Sequence, residues 1–425
     1  MIPTLQVFES VDKPFALTAR HWLFLAQSVD EPERLVCANP QSFVDASLTK
    51  MTGSLDRIDS TALATFRHAF RDPLVRHAVY EDYRAAPDPP RQPGANSLRT
   101  IEMFIGERRA QLNELFGTDW RKAPSWVGIR KFLLELDEHD LESAVRAFAQ
   151  KKVCAPPGRQ FIALDGKALR GSASRLEDMT ARHIVSAFDQ QGLIVLGHVE
   201  VAEKSNEIPA AQALIESLGL QGRVFTMDAL HCQKKTLALA LQKQADVLVQ
   251  VKCNQPTLLA ACVDLARYCT AAECDVQHDK GHGRIETRTV RTYGVPANWL
   301  EADWQPLVQQ IVSVSRTVER RNRTGGWDCS SETAWWVSTA VMSAATCQMA
   351  IRGHWSVENQ NHYVRDVVMK EDHCTTRHKP GILARLRSMA LNCLRATSDR
   401  SVTIELRRNA LNFEHLRRCA CGRRS

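Results

Sequence analysis

Phe161-Ile162-Ala163-Leu164-Asp165-Gly166-Lys167-Ala168-Leu169-Arg170-Gly171 is the stretch whose reading decides the fold. An apolar run of strand length carries one carboxylate, Asp165, to a strand end, and Gly166 lets the backbone turn tightly beside it. Lys167 and Arg170 follow at once, so groups able to hold phosphate adjoin a carboxylate able to hold a divalent cation. An Asp-Gly pair by itself reads more simply as a buried strand ending in a polar turn. What decides between the two is whether further carboxylates arrive in the same way downstream.

They do. A second strand over 183–188, a hairpin turn at Asp189-Gln190-Gln191-Gly192 and a third strand over 193–201 follow. Asn206 caps a helix over 207–218 that Gly219 ends. The run Arg223-Val224-Phe225-Thr226-Met227-Asp228 is again short, apolar and closed by an aspartate. A helix to 244, a strand over 245–251 and, after Lys252-Cys253-Asn254-Gln255, a helix to 266 complete the order strand, strand, strand, helix, strand, helix, strand, helix. From about 275 to 340 the alternation breaks into β-branched runs, with a basic turn expected at 316–323, which reads as an inserted, mostly β segment. A helix from about Thr346 then carries His354, Glu358, His362 and Arg365 at spacings of four, four and three, which would put all four on one face. Val357, Val364, Val367 and Val368 would pack that helix down. Glu371 and Asp372 lie more than three turns beyond Glu358, which suits a structural or DNA-proximal role.

The rest of the chain supplies context. With 425 residues, 44% of them hydrophobic, it is long enough for two or three domains. Residues 1–83 read as short helical pieces of unknown role, 84–97 as a Pro-rich exposed linker, and 98–150 as a small helical domain. A catalytic domain over 151–395 and a basic tail over 396–425 follow; from Arg377 onward there are twelve Lys and Arg against three Asp and Glu. The net charge of +7 favours a polyanionic partner. The apolar runs are too short to span a bilayer and no leader is visible, so the thirteen cysteines read as reduced thiols of a cytoplasmic protein.

Two strands ending in aspartate and a late helix bearing glutamate, in a strand order like that of ribonuclease H, can bring anionic oxygens together around two divalent cations. Asp165 would bridge them while Asp228 and Glu358 each complete one site. The motifs around these residues resemble those of the DDE transposases of bacterial insertion sequences, of the ISAs type that includes the H-repeat-associated proteins. The likeness rests on Ile162 to Gly171, on Thr226-Met227-Asp228-Ala229 with Gln233, on 246–255, on His282-Gly283-Arg284-Ile285-Glu286-Thr287-Arg288, and on Arg352-Gly353-His354-Trp355-Ser356-Val357-Glu358-Asn359 with 365–372. It implies a ribonuclease H-like α/β fold: a mixed sheet with flanking helices, a mostly β insertion before the last catalytic helix, and a helical amino-terminal domain. It also implies DNA strand cleavage and transfer, an acidic triad of Asp165, Asp228 and Glu358, and two Mg²⁺ ions for which Mn²⁺ could substitute. The partners implied are double-stranded DNA, at the element ends and the target, and a second copy of the chain when bound to DNA in a bacterial nucleoid. Lys167, Arg170, Lys252, Asn254, Gln255, His354 and Arg365 are the expected DNA contacts. In related enzymes a Tyr, two residues, Arg, three residues, Glu, six residues, Lys signature surrounds the glutamate; here Ile351, His354 and Arg365 stand at its other places, so only the last charge is kept. A nuclease of the same fold that cuts without joining, and a catalytically silent DNA-binding protein, are the alternatives; the three carboxylates argue against the second.

Overall fold

The computed structural model describes residues 36, 39–73, 75–76, 97–152, 159–173, 180–201, 206–281, 283–322, 326–374 and 376–420. The chain divides into two compact units between Pro93 and Gly94. In the first, α1 (Pro40–Thr52) starts at Asn39, whose side chain accepts from the Ser42 N–H, and α2 (Ser60–Ala69) starts at Asp59 in the same way. A two-pronged Arg67 to Asp45 ion pair and stacking of Phe43 on Phe70 join them. The expected linker over 84–97 lies outside the described residues except for Ser97, which caps the first helix of the second unit.

That unit begins with α3 (Leu98–Glu107), α4 (Arg109–Phe116), α5 (Trp126–Glu135) and α6 (Glu138–Lys152). Then come β1 (Phe161–Leu169), β2 (Arg182–Asp189), β3 (Ile194–Glu200), α7 (Glu207–Leu218), β4 (Val224–Met227), α8 (Lys234–Gln242), β5 (Asp246–Val251) and α9 (Pro256–Tyr268), the order read from the sequence. Four long strands follow, β6 (Glu273–Gly281), β7 (Arg284–Gly294), β8 (Gln310–Arg321) and β9 (Trp327–Ser338), and then α10 (Ala344–His354).

All nine strands form one sheet in the order β3-β2-β1-β4-β5-β9-β8-β7-β6. β1, β4 and β5 are mutually parallel, whereas β2, β3 and the later strands run antiparallel to their neighbours. The β segment expected as an insertion therefore continues the main sheet, because β9 pairs with β5 from Leu248↔Ser338 to Val251↔Trp335. The basic turn expected at 316–323 is corrected too: Arg316 to Arg321 is the end of β8, paired residue by residue with β9. Arg316 there is held by Glu286 at 2.8 Å and Glu332 at 3.0 Å.

Strand alternation sorts the core into two layers. Ile162, Leu164, Phe225, Met227, Val247 and Val249 pack with Ala211, Leu214, Leu237 and Leu258 of α7, α8 and α9. On the opposite face, Phe161, Val224, Leu248 and Trp336 pack with Ala344, Cys347 and Ile351 of α10, and Ala163 packs with Val357. Each such aliphatic or aromatic side chain contributes about 1.5–3 kcal/mol by leaving water, so the two layers together fix where the strand ends lie.

The two ends of the second unit also differ from expectation. α6 belongs with the sheet, since Glu142 accepts from the His198 N–H of β3 at 2.6 Å and from Arg385 at 3.0 Å. The segment expected as a basic tail folds as α12 (Val402–Leu411) and α13 (Phe413–Ala420), which follow α11 (Pro380–Thr397). Buried Glu405 of α12 holds the two together through His415 of α13 and also pairs with Arg408 on its own helix. In α11, Asn392 closes the edge of the sheet by hydrogen-bonding both backbone groups of Val195.

Candidate active site

The parallel pairing of β1 with β4 runs Phe161↔Val224, Ile162↔Phe225, Ala163↔Thr226. Continuing that register sets Asp165 opposite Asp228. β4 stops at Met227, so Asp228 stands at a true strand end and opens a short 3₁₀ turn over Ala229–His231. β1 does not stop: it stays paired with β2 from Ile162↔Asp189 to Leu169↔Arg182, with Asp165 opposite Ser186. The expected tight turn at Gly166 is thus absent, and the glycine has another cause. A Cβ there would stand 2.2 Å from the carboxyl of Glu207, the first residue of α7. That space is occupied by an acid from the other layer.

The third acid arrives from α10. After His354 the helix widens into two π-helical segments, Val357–His362 and Val364–Val368, while buried Val357 anchors it on Ala163 and Phe188. The wider turn breaks the expected common face: Glu358 is exposed, but His354, His362 and Arg365 are buried. Val367, expected to pack inward, is 48% exposed. His354 Nδ1 shares a hydrogen bond of 3.0 Å with Thr226 Oγ1, which also accepts from Gln190, and burial pushes the ring down to about 4. His362 Nδ1 lies 3.4 Å from Asp165 Oδ2, and burial, with Arg365 and Lys167 nearby, pushes that ring down to about 3. Both imidazoles are neutral at ordinary pH.

Asp165 is pushed up to about 7, first by burial and then by the charges of Asp228, Glu207 and Glu358, against a hydrogen bond from the Gly166 N–H. Three further carboxylates thus bear on Asp165, and the donor set is the oxygen-only kind that hard divalent cations select. Among the described residues no three His, Cys, Asp or Glu side chains meet closely enough to enclose an ion as they stand. The fit lies in the donor chemistry and in the negative charge gathered around Asp165. Glu207 carried no sequence signal of this, because an acid in the first turn after an Asn cap is ordinary helix chemistry.

Several expected DNA contacts are placed otherwise. Lys167 is buried and paired with Asp366 and, at 3.6 Å, with Glu371. Arg365 is fully buried and donates to Glu371 at 2.8 Å. His354 faces inward as described. Asn254 donates to the Ala229 carbonyl at 2.7 Å and Gln255 to the Cys232 carbonyl at 2.9 Å, so both brace the turn that follows Asp228. Arg170, with a side chain 77% exposed and only a 3.4 Å pairing to Asp372, and exposed Lys252 remain turned to solvent. Of the carboxyl-terminal cations, Arg385 is buried against Glu142 and Glu200, and Arg395 donates to the Leu193 and Gln360 carbonyls.

The family model of the transposase DDE domain matches residues 156–393, which is more than half of the chain and runs from before β1 into α11. The chain belongs to the DDE transposase family. A protein of Escherichia coli O157:H7 named as a transposase, YncI, is 30% identical over 316 residues, 72% of this chain and 79% of that one. YhhI of E. coli K12, named as an H repeat-associated transposase, is 33% identical over 262 residues, 59% of this chain and 67% of its own. A likeness of another kind is to a fluoroacetate dehalogenase of a Burkholderia species, 38% identical over 87 residues, 20% of this chain and 28% of that protein. As a DDE transposase the protein acts on DNA, and its chemistry goes with a divalent metal. No described helix is long and apolar enough to cross a membrane.

Proposed function

We propose that the core is ribonuclease H-like and that Asp165, Asp228 and Glu358 are the triad that cuts a DNA strand at the element's end and joins its 3′-hydroxyl to target DNA. The observation that carries this is the β1–β4 register, which continued sets Asp165 opposite Asp228, with Glu358 next to Val357, which packs on Ala163 two residues before Asp165. These three side chains would hold two Mg²⁺ ions, with Mn²⁺ able to substitute; when bound, such ions supply a polarised phosphodiester and an acidified water. His362, neutral and 3.4 Å from Asp165, orients that carboxylate. Arg170 and Lys252 offer exposed cations to the phosphate backbone of double-stranded DNA, which holds the strand in place without reading its sequence.

Two copies acting together on paired ends, residues 98–150 as the transposase-associated helical domain, and action at the bacterial nucleoid complete the reading. The test is cleavage and joining of a defined element end by the purified chain with Mg²⁺ or Mn²⁺. Cleavage without joining would favour the nuclease reading instead.

A further inference from the structure

Glu207 has no part in the triad, yet the fold goes out of its way to admit it. Along β1, Ile162 and Leu164 face α7, whereas Ala163 faces the last helix with Val357. By alternation Asp165 faces the last helix, as its contact with His362 confirms, and Gly166 faces α7. Gly166 is thus the one place next to Asp165 where β1 presents no side chain to α7, and the Glu207 carboxyl lies in the space a Cβ would take. Asn206 fixes this placement by capping α7 through the Ile208 N–H at 3.1 Å. The partner of Glu207 is His183 on β2, at a loose 3.5 Å and half exposed. Buried His231 closes the α7 side of the same spot, with its Nε2 3.8 Å from Asp228 Oδ1.

We infer that Glu207 is a fourth carboxylate of the active site, reaching past Gly166 to serve the divalent cation shared by Asp165 and Asp228. This rests on the reading of Asp165, Asp228 and Glu358 as metal-holding residues. It assigns to α7 a role that the triad leaves out: its first acid lies against β1 where Gly166 presents no side chain.

The experiment is Mn²⁺ titration of the full chain, followed by the electron paramagnetic resonance of the free ion, alongside metal-free melting. Glu207→Gln keeps the shape and removes the charge; Mn²⁺ affinity falls at least about tenfold while metal-free melting is kept. Should that variant not fold, Glu207→Asp, which keeps the charge but withdraws it, gives the same fall. His183→Gln removes the ion pair and leaves Mn²⁺ affinity as in the parent. If Asp228→Asn loses Mn²⁺ while Glu207→Gln binds it like the parent, the role of Glu207 is overturned and the triad stands. A loss reproduced by His183→Gln overturns it as well, since the carboxyl would then act only through its partner. If neither Asp228→Asn nor Glu207→Gln alters binding, the triad reading itself fails.

Discussion

Arg365 donates to Glu371 Oε1 across 2.8 Å with both side chains buried, and Lys167 of the central strand reaches the same carboxylate at 3.6 Å. Arg387 approaches it at 3.7 Å. The cluster ties the end of the last helix to β1, two residues beyond Asp165, so the charges serve alignment of the site. Removing one member leaves uncompensated buried charge, which costs on the order of 3–5 kcal/mol. Arg365→Met is therefore expected to lose about that much stability in urea unfolding. A variant of parental stability that had lost only DNA affinity would show Arg365 to be a phosphate contact after all.

Gly166→Ala tests the space rather than the charge. The atom a new methyl would meet is the end of a long, mobile Glu207 side chain, which can swing away, so stability falls by less than about 1 kcal/mol. The carboxyl is nevertheless displaced, and Mn²⁺ affinity falls as it does in Glu207→Gln. A large loss of stability with unaltered Mn²⁺ binding would mean that Gly166 serves backbone packing alone.

Glu142 links α6 to β3 and α11 and is held down at about 2: burial pushes it up, but hydrogen bonds from His198 and Arg146 outweigh that. Its folded value lies below the ordinary 4.5, so its contribution is complete above that pH and is lost as pH falls toward about 2. Stability is expected to decline by roughly 3 kcal/mol across this window. Glu142→Gln should be less stable at neutral pH and should lack this part of the acid decline; urea titrations from pH 7 to pH 2 decide it.

Affinity for DNA is expected to fall with salt, with Arg170 and Lys252 among the contributors. Replacing each by Gln should lower the slope of log affinity against log salt by about one. Lys167→Met should instead lower stability, because that ammonium is already engaged by Asp366 and Glu371. An unaltered slope in the Arg170 and Lys252 variants would move the phosphate track elsewhere.

The order of strands and helices was legible because buried strands announce themselves as short apolar runs, as at 161–164 and 224–227, and helices as capped periodic segments such as the one opened by Asn206. What was not legible depended on partners distant in sequence. Gly166 looked like a turn, since its cause, Glu207, lies 41 positions away and in another layer. Arg365 and Lys167 looked like phosphate ligands because sequence cannot show that Glu371 folds back between them. The common face of His354, Glu358, His362 and Arg365 assumed 3.6 residues per turn, and the π-helical stretch from Val357 alters that count. The basic tail looked free, but Glu405 ties α12 to α13 through His415.

The most direct measurement is the rate of strand cleavage at a defined element end, with Mg²⁺, for the single variants Asp165→Asn, Asp228→Asn and Glu358→Gln, each checked for parental melting without metal. Loss of a metal-holding carboxylate is expected to slow cleavage by more than about a hundredfold, at least roughly 2.7 kcal/mol of barrier. Cleavage within about tenfold of the parent in each variant, under roughly 1.4 kcal/mol, would contradict the triad.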